Sequence, residues 1–106
     1  MALTAVLLTT SAASVYTSSG NNAITCMTIC NYSGTSANLT LHTVPNNAGA
    51  VGTASNTNMS ISALAIPPGE TVTLDQEKLV LANNDSIQAL SSAVSRLNIV
   101  ISTLPV

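Results

Sequence analysis

Ionic side chains are scarce in this chain. Formal charge sits only on Glu70, Asp75, Glu77, Lys78, Asp85 and Arg96, and there is none between Met1 and Gly69. Nucleic-acid recognition needs a Lys/Arg footprint to neutralise phosphates, and two separated cations do not supply one. An anionic membrane surface is excluded as a partner on the same ground. Aromatic rings are as rare: there is no Phe or Trp, and the only tyrosines are Tyr16 and Tyr32. The core must therefore be built from Val, Ile, Leu, Ala and Met, which implies a thin two-layer core. Each fully buried Leu, Ile or Val in it contributes on the order of 1.5–3 kcal/mol, so a monomer of moderate stability gains from assembly. No stretch approaches the roughly 18–20 apolar residues of a spanning helix. The run Ala2-Leu3-Thr4-Ala5-Val6-Leu7-Leu8 has no positive n-region and is broken by Thr4, so it reads as a first strand rather than a signal peptide. Synthesis in the cytoplasm is the expectation.

What the chain has in abundance is Ser, Thr and Asn; Ser and Thr together make up about a quarter of it. A neutral hydroxyl- and amide-rich surface lacks the net charge that keeps free monomers apart. It suits a subunit that packs closely beside copies of itself. The 106 residues are the size of one domain, expected over 1–106.

The stretch Pro67-Pro68-Gly69-Glu70-Thr71-Val72-Thr73-Leu74-Asp75 anchors the secondary-structure reading. Pro68 presets φ, Gly69 can take the positive φ of a type II turn, and Val72 and Leu74 then alternate with polar neighbours as in a strand. Asn83-Asn84-Asp85 repeats this grammar ahead of Ser86–Leu90. Further strands are expected at Leu3–Thr9, Ser14–Thr17, Ala23–Asn31, Asn38–Val44, Met59–Ile66 and Leu97–Leu104. Period 2 puts Ile24, Cys26, Thr28 and Cys30 on one face of the third of these, and Leu3–Thr9 or Leu97–Leu104 reads as an edge strand that could pair between subunits. Asn31 to Val44 reads as a hairpin, Asn46 to Asn56 as a mobile loop, and Asp75-Gln76-Glu77-Lys78 as one helical or 3₁₀ turn. Seven to eight short strands at this spacing favour an all-β antiparallel β-sandwich.

Residue types that carry chemistry are present but not in working constellations. Cys26 and Cys30 on one strand stand about 13 Å apart, whereas a disulfide needs Cα atoms within about 7 Å. They read as buried free thiols, and zinc lacks ligands because His42 is the only histidine. His42 is expected to face solvent or an interface. No Ser–His–Asp set has a local context such as G-x-S-x-G, and the segments around Gly20 and Gly49 lack phosphate-loop spacing. Asp75, Glu77 and Asp85 match no Ca²⁺ loop; Asp85 reads as the residue that closes the Asn83-Asn84 turn. Four Asn-x-Ser/Thr patterns, at Asn31, Asn38, Asn58 and Asn84, carry no weight without a secretory signal. No catalytic, cofactor-binding or metal-binding residue is expected.

Several segments nevertheless form a pattern: Leu3-Thr4-x₂-Leu7-Leu8-Thr9-Thr10-Ser11-Ala12, Val15-Tyr16-Thr17-Ser18-Ser19-Gly20, Ile29-Cys30-Asn31-Tyr32-Ser33-Gly34 and Val44-Pro45. Pro68-Gly69-Glu70-Thr71, Asp75-Gln76-Glu77-Lys78-Leu79-Val80-Leu81 and Asn84-Asp85-Ser86-Ile87-Gln88-Ala89 extend it over nearly the full length. The chain thereby resembles small virion structural proteins of tailed bacteriophages. The resemblance implies a β-sandwich accessory subunit on the capsid, neck or tail, most simply a decoration or cement role, with copies of itself and other virion proteins as partners. No catalytic residue comes with it. The rival expectation is a carbohydrate- or host-receptor-binding module, for which Tyr16 and Tyr32 would be the available ring platforms.

Overall fold

The structure is a computed structural model and describes residues 2–55, 57–74 and 79–105. Nine strands run through it: β1 (Ala2–Leu7), β2 (Ala13–Thr17), β3 (Asn22–Asn31), β4 (Ala37–Val44), β5 (Met59–Ile66), β6 (Thr71–Leu74), β7 (Leu79–Leu81), β8 (Ser86–Ser91) and β9 (Leu97–Pro105). They form two antiparallel sheets, one ordered β1-β9-β3-β6 with β7 also on β3, the other β2-β8-β4-β5. A three-residue strand at Leu79–Leu81, which the sequence pattern did not single out, raises the count to nine. The expected helical turn at Asp75–Lys78 lies outside the described residues.

The pairings are nested. β1 pairs with β9, β2 with β8, β3 with β6 and β7, and β4 with β5. The chain is in effect one long antiparallel ribbon folded over at β4–β5 and wound up, with β9·β3 and β8·β4 closing the two sheets. That winding is a jelly roll, one of the ways an all-β chain packs two sheets around a single core. It overturns the expected Asn31–Val44 hairpin. β3 and β4 belong to opposite sheets, and the turn between them carries the chain across the sandwich.

The core is aliphatic. Ile24, Met27, Ile29, Leu97, Ile99 and Ile101 of the five-stranded sheet meet Leu39, Leu41, Ile66, Ile87 and Ala89 of the other, all essentially without exposed surface. Strict alternation on β9 points Leu97, Ile99, Ile101 and Thr103 inward. A register shift between Ile24 and Cys26 breaks the alternation of β3. Ile24, Met27 and Ile29 therefore all point inward although 24 and 27 differ in parity, and Cys26, Thr28 and Cys30 face out. Uninterrupted period-2 reading put Ile24 with the cysteines; the bulge separates them.

Both anticipated turns form. Glu70 N–H donates to the Pro67 carbonyl at 3.2 Å, with Gly69 at φ +74°. Asp85 N–H donates to the Ala82 carbonyl at 3.0 Å, with Asn84 at φ +66°. In each, the residue at the third position adopts the left-handed conformation that Gly and Asn tolerate best.

Candidate functional site

Polar groups collect at the two ends of the sandwich, and each end has a hub. Asn31 terminates β3 and is fully buried. Its Nδ2 donates to the carbonyls of Thr35 and Ile66, both at 2.9 Å, and its Oδ1 accepts from Ser33 N–H at 3.0 Å and Ser33 Oγ at 2.7 Å. One amide thus fastens the β3–β4 turn to the end of β5. Its burial also removes Asn31 as a glycan acceptor in the folded protein.

Asp85 is the hub at the opposite end. Its Oδ1 accepts from Asn46 N–H at 2.7 Å and Asn46 Nδ2 at 3.0 Å, and its Oδ2 from Ala82 N–H at 2.9 Å. Desolvation alone would raise its pKa. The hydrogen bonds from Asn46 N–H, Ala82 N–H and the Asn46 amide outweigh that and hold the carboxyl below its ordinary value. The expected turn-closing role is what Asp85 performs, and it ties in the β4–β5 loop as well. Asp75 and Glu77 lie outside the described residues. Among the described residues no three His, Cys, Asp or Glu side chains gather as metal ligands.

The β4–β5 loop corrects two expectations. Instead of moving freely, it folds back over the outer face of the four-stranded sheet. Asn84 Nδ2 donates to Gly49 O at 2.6 Å, and Gln88 Nε2 to Gly52 O at 3.1 Å. Within it Asn47 and Ala50 exchange backbone hydrogen bonds across Ala48 and Gly49, both at positive φ, as in a type I′ turn. Gly52 sits where a Cβ would lie 2.5 Å from the Pro45 carbonyl oxygen and 2.9 Å from Val44 Cγ1. His42, expected at solvent or an interface, is buried beneath this loop. Its Nδ1 lies 3.1 Å from the Ser55 carbonyl and 3.0 Å from Asn58 Oδ1. Two acceptors around one ring nitrogen require Nδ1–H as donor. His42 is a structural pin for the loop, with no acid or nucleophile among the partners of that nitrogen.

Cys26 and Cys30 are free, as expected, but they are half-buried on the outer face rather than enclosed. Tyr16 packs against the core, while Tyr32, just past β3, is 51% exposed. The rings that a sugar platform would use are thus reduced to Tyr32. An apolar recess of about 210 Å³ opens between the sheets, lined by Met27, Leu41, Thr43, Ser60, Ile61 and Leu74 among others. Its two hydroxyls, on Thr43 and Ser60, hydrogen-bond to each other at 2.8 Å. The recess is smaller than the roughly 300–1,000 Å³ of ordinary ligand pockets and offers a ligand no uncommitted polar group from that pair.

The strands themselves are the surface that stands out. Not one of the nine contains Asp, Glu, Lys or Arg; the described charges, Glu70, Asp85 and Arg96, all lie in turns. Natural sheets usually guard their edges with charge, proline, brevity or a bulge. β2 and β5 have irregular register, and β6 spans four residues, Thr71–Leu74, among those described. β1 has none of these guards. It pairs with β9 over six successive residues without a break, and among the described residues no strand hydrogen-bonds to its other side. Leu3 and Leu7 on it are 74% and 63% exposed. The strand Leu97–Leu104, expected as a second edge, is instead interior, between β1 and β3.

Fold and surface together define an all-β antiparallel sandwich with uncharged strands and a hydroxyl-rich exterior. No protein-family model and no curated protein sequence matches the chain. Among solved structures it is similar to a chain from Bacillus endospore appendages, described as a novel family of disulfide-linked pili. The two share 12% identity and a TM-score of 0.51 over 99% of this chain and 84% of that one. At that identity the likeness speaks to the fold. No helix among the described residues is long and apolar enough to cross a membrane.

Proposed function

We propose that this chain is a structural subunit that assembles with copies of itself on the outside of a larger particle, a tailed-phage virion. One observation carries the self-association: β1 is an unguarded, uncharged edge strand that exposes Leu3 and Leu7. Such an edge pairs readily with another strand, and many weak contacts between copies multiply into firm attachment. The placement on a virion rests on the sequence resemblance at the turn and strand motifs. The jelly-roll winding agrees with it, because that architecture recurs in viral capsid domains.

The likeness to a pilus subunit favours a second reading, in which the copies form an extracellular fibre instead. Two experiments separate these. Light scattering after size exclusion should show defined oligomers that grow with concentration. Purified protein added to phage particles lacking it should then bind in a saturable, fixed copy number. Open-ended fibres with no particle binding would favour the pilus reading. A strictly monomeric protein that binds no particle would overturn both.

A further inference from the structure

We propose that the outer face of the five-stranded sheet is the seat of a second copy of this chain. The proposal deepens the self-assembly reading above and rests on it, naming the contact face. The register lays that face out in rows. Leu104, Ala23 and Val80 form one row, Leu3, Ser102 and Cys26 the next. Ala5, Val100, Thr28 and Thr73 follow, then Leu7, Asn98, Cys30 and Thr71. No side chain in these rows is charged. Among their aliphatic members, Leu3, Leu7 and Val80 are each more than 60% exposed and Leu104 is 41% exposed.

Three features argue for a second copy as the occupant. First, the two outer faces are treated differently: the chain's own β4–β5 loop roofs His42 and Gln88 on the other sheet, whereas no segment among the described residues roofs the rows above, where Leu3, Leu7 and Val80 stay exposed. Secondly, the size fits. A nine-residue strand such as β9 in a sheet of four strand widths gives a face of about 30 × 19 Å, or roughly 570 Å² in projection. Side-chain relief brings its accessible area towards the ~800 Å² each partner contributes to a standard interface. Thirdly, a face without charge needs a partner without charge, and this chain's own strands meet that condition throughout. Like face on like face leaves no ion stranded without a counterpart.

The test uses sedimentation velocity on the full chain and on two variants, with circular dichroism to confirm that each is folded. Val100→Lys places one charge mid-face; Val94→Lys does the same in the β8–β9 turn, off the face. The expected result is association weakened at least about tenfold by Val100→Lys, as for one buried unpaired charge, and unchanged by Val94→Lys. Ellman's reagent gives a second readout, because Cys26 and Cys30 lie in the face. Their reaction should slow as wild-type concentration rises and stay fast in Val100→Lys. Wild-type association that survives Val100→Lys, with thiol rates independent of concentration, would overturn the face while leaving self-assembly standing. A wild-type chain that is monomeric at every concentration would overturn both.

Discussion

Replacing Asn31 by Ala should cost far more than its position near a turn suggests. The side chain makes four hydrogen bonds, of 2.7 to 3.0 Å, and is fully enclosed. At a net contribution of about 1 kcal/mol each, removing them costs about 4 kcal/mol. The Ile66 carbonyl, left in a dry site, keeps this figure from falling. Domains of this size are stable by about 5–15 kcal/mol in total, so one substitution removes a large share. In thermal terms that is a fall on the order of 15–30 °C. Urea titration followed by far-UV circular dichroism measures it directly, and the shift should appear in the midpoint with the slope unchanged. Asn31→Asp should be no milder, because it loses both donated bonds and buries a charge. A loss below about 1 kcal/mol for Asn31→Ala would mean that water or backbone rearrangement replaces the amide, and would refute its role as the hub of that end.

Three further outcomes are expected. Gly52→Ala should push the β4–β5 loop off the sheet, since its Cβ would collide with the Pro45 carbonyl and Val44; a cost of about 1–3 kcal/mol should come with faster hydrogen exchange at His42 and Gln88. Ile99→Ala, at a fully buried site in the middle of β9, should cost about 2–5 kcal/mol in the same urea assay. The Asp85 carboxyl titrates lower in the folded chain than its ordinary 3.8, so its stabilisation is complete above that value and is lost as pH falls through the folded pKa. Asp85→Asn should therefore be the less stable protein at neutral pH, by about 1–2 kcal/mol, with the gap closing in acid; a gap independent of pH would contradict the carboxylate's role.

Local pattern made much of this fold readable. Alternation located β4, β5, β6 and β9, and the demand for positive φ placed the turns at Gly69 and Asn84. Sheet membership was less accessible, because alternation says which side of a strand is apolar but not which strand lies beside it. Hence β3 and β4 looked like a hairpin, and β9 looked like an edge. The bulge at Ile24/Cys26 has no sequence signature of its own, and it turned the thiols outward. The β4–β5 loop misled for another reason. Its Asn, Ser and Gly residues are those of a solvated segment, and only the long-range bonds from His42, Asn84 and Gln88 reveal it as clamped. The Asn47-Ala48-Gly49-Ala50 turn was the available hint that the loop had structure.

The account depends on uncharged strand surface binding to more of itself, and the salt dependence of that association tests it most directly. Contacts between apolar and hydroxyl groups are not screened by ions, whereas ion-pair contacts weaken as the Debye length shrinks. Sedimentation equilibrium of the wild-type chain at low and at high sodium chloride should show the same oligomer, held at least as firmly in high salt. A monomer under both conditions, or an oligomer that dissolves as salt is added, would contradict it.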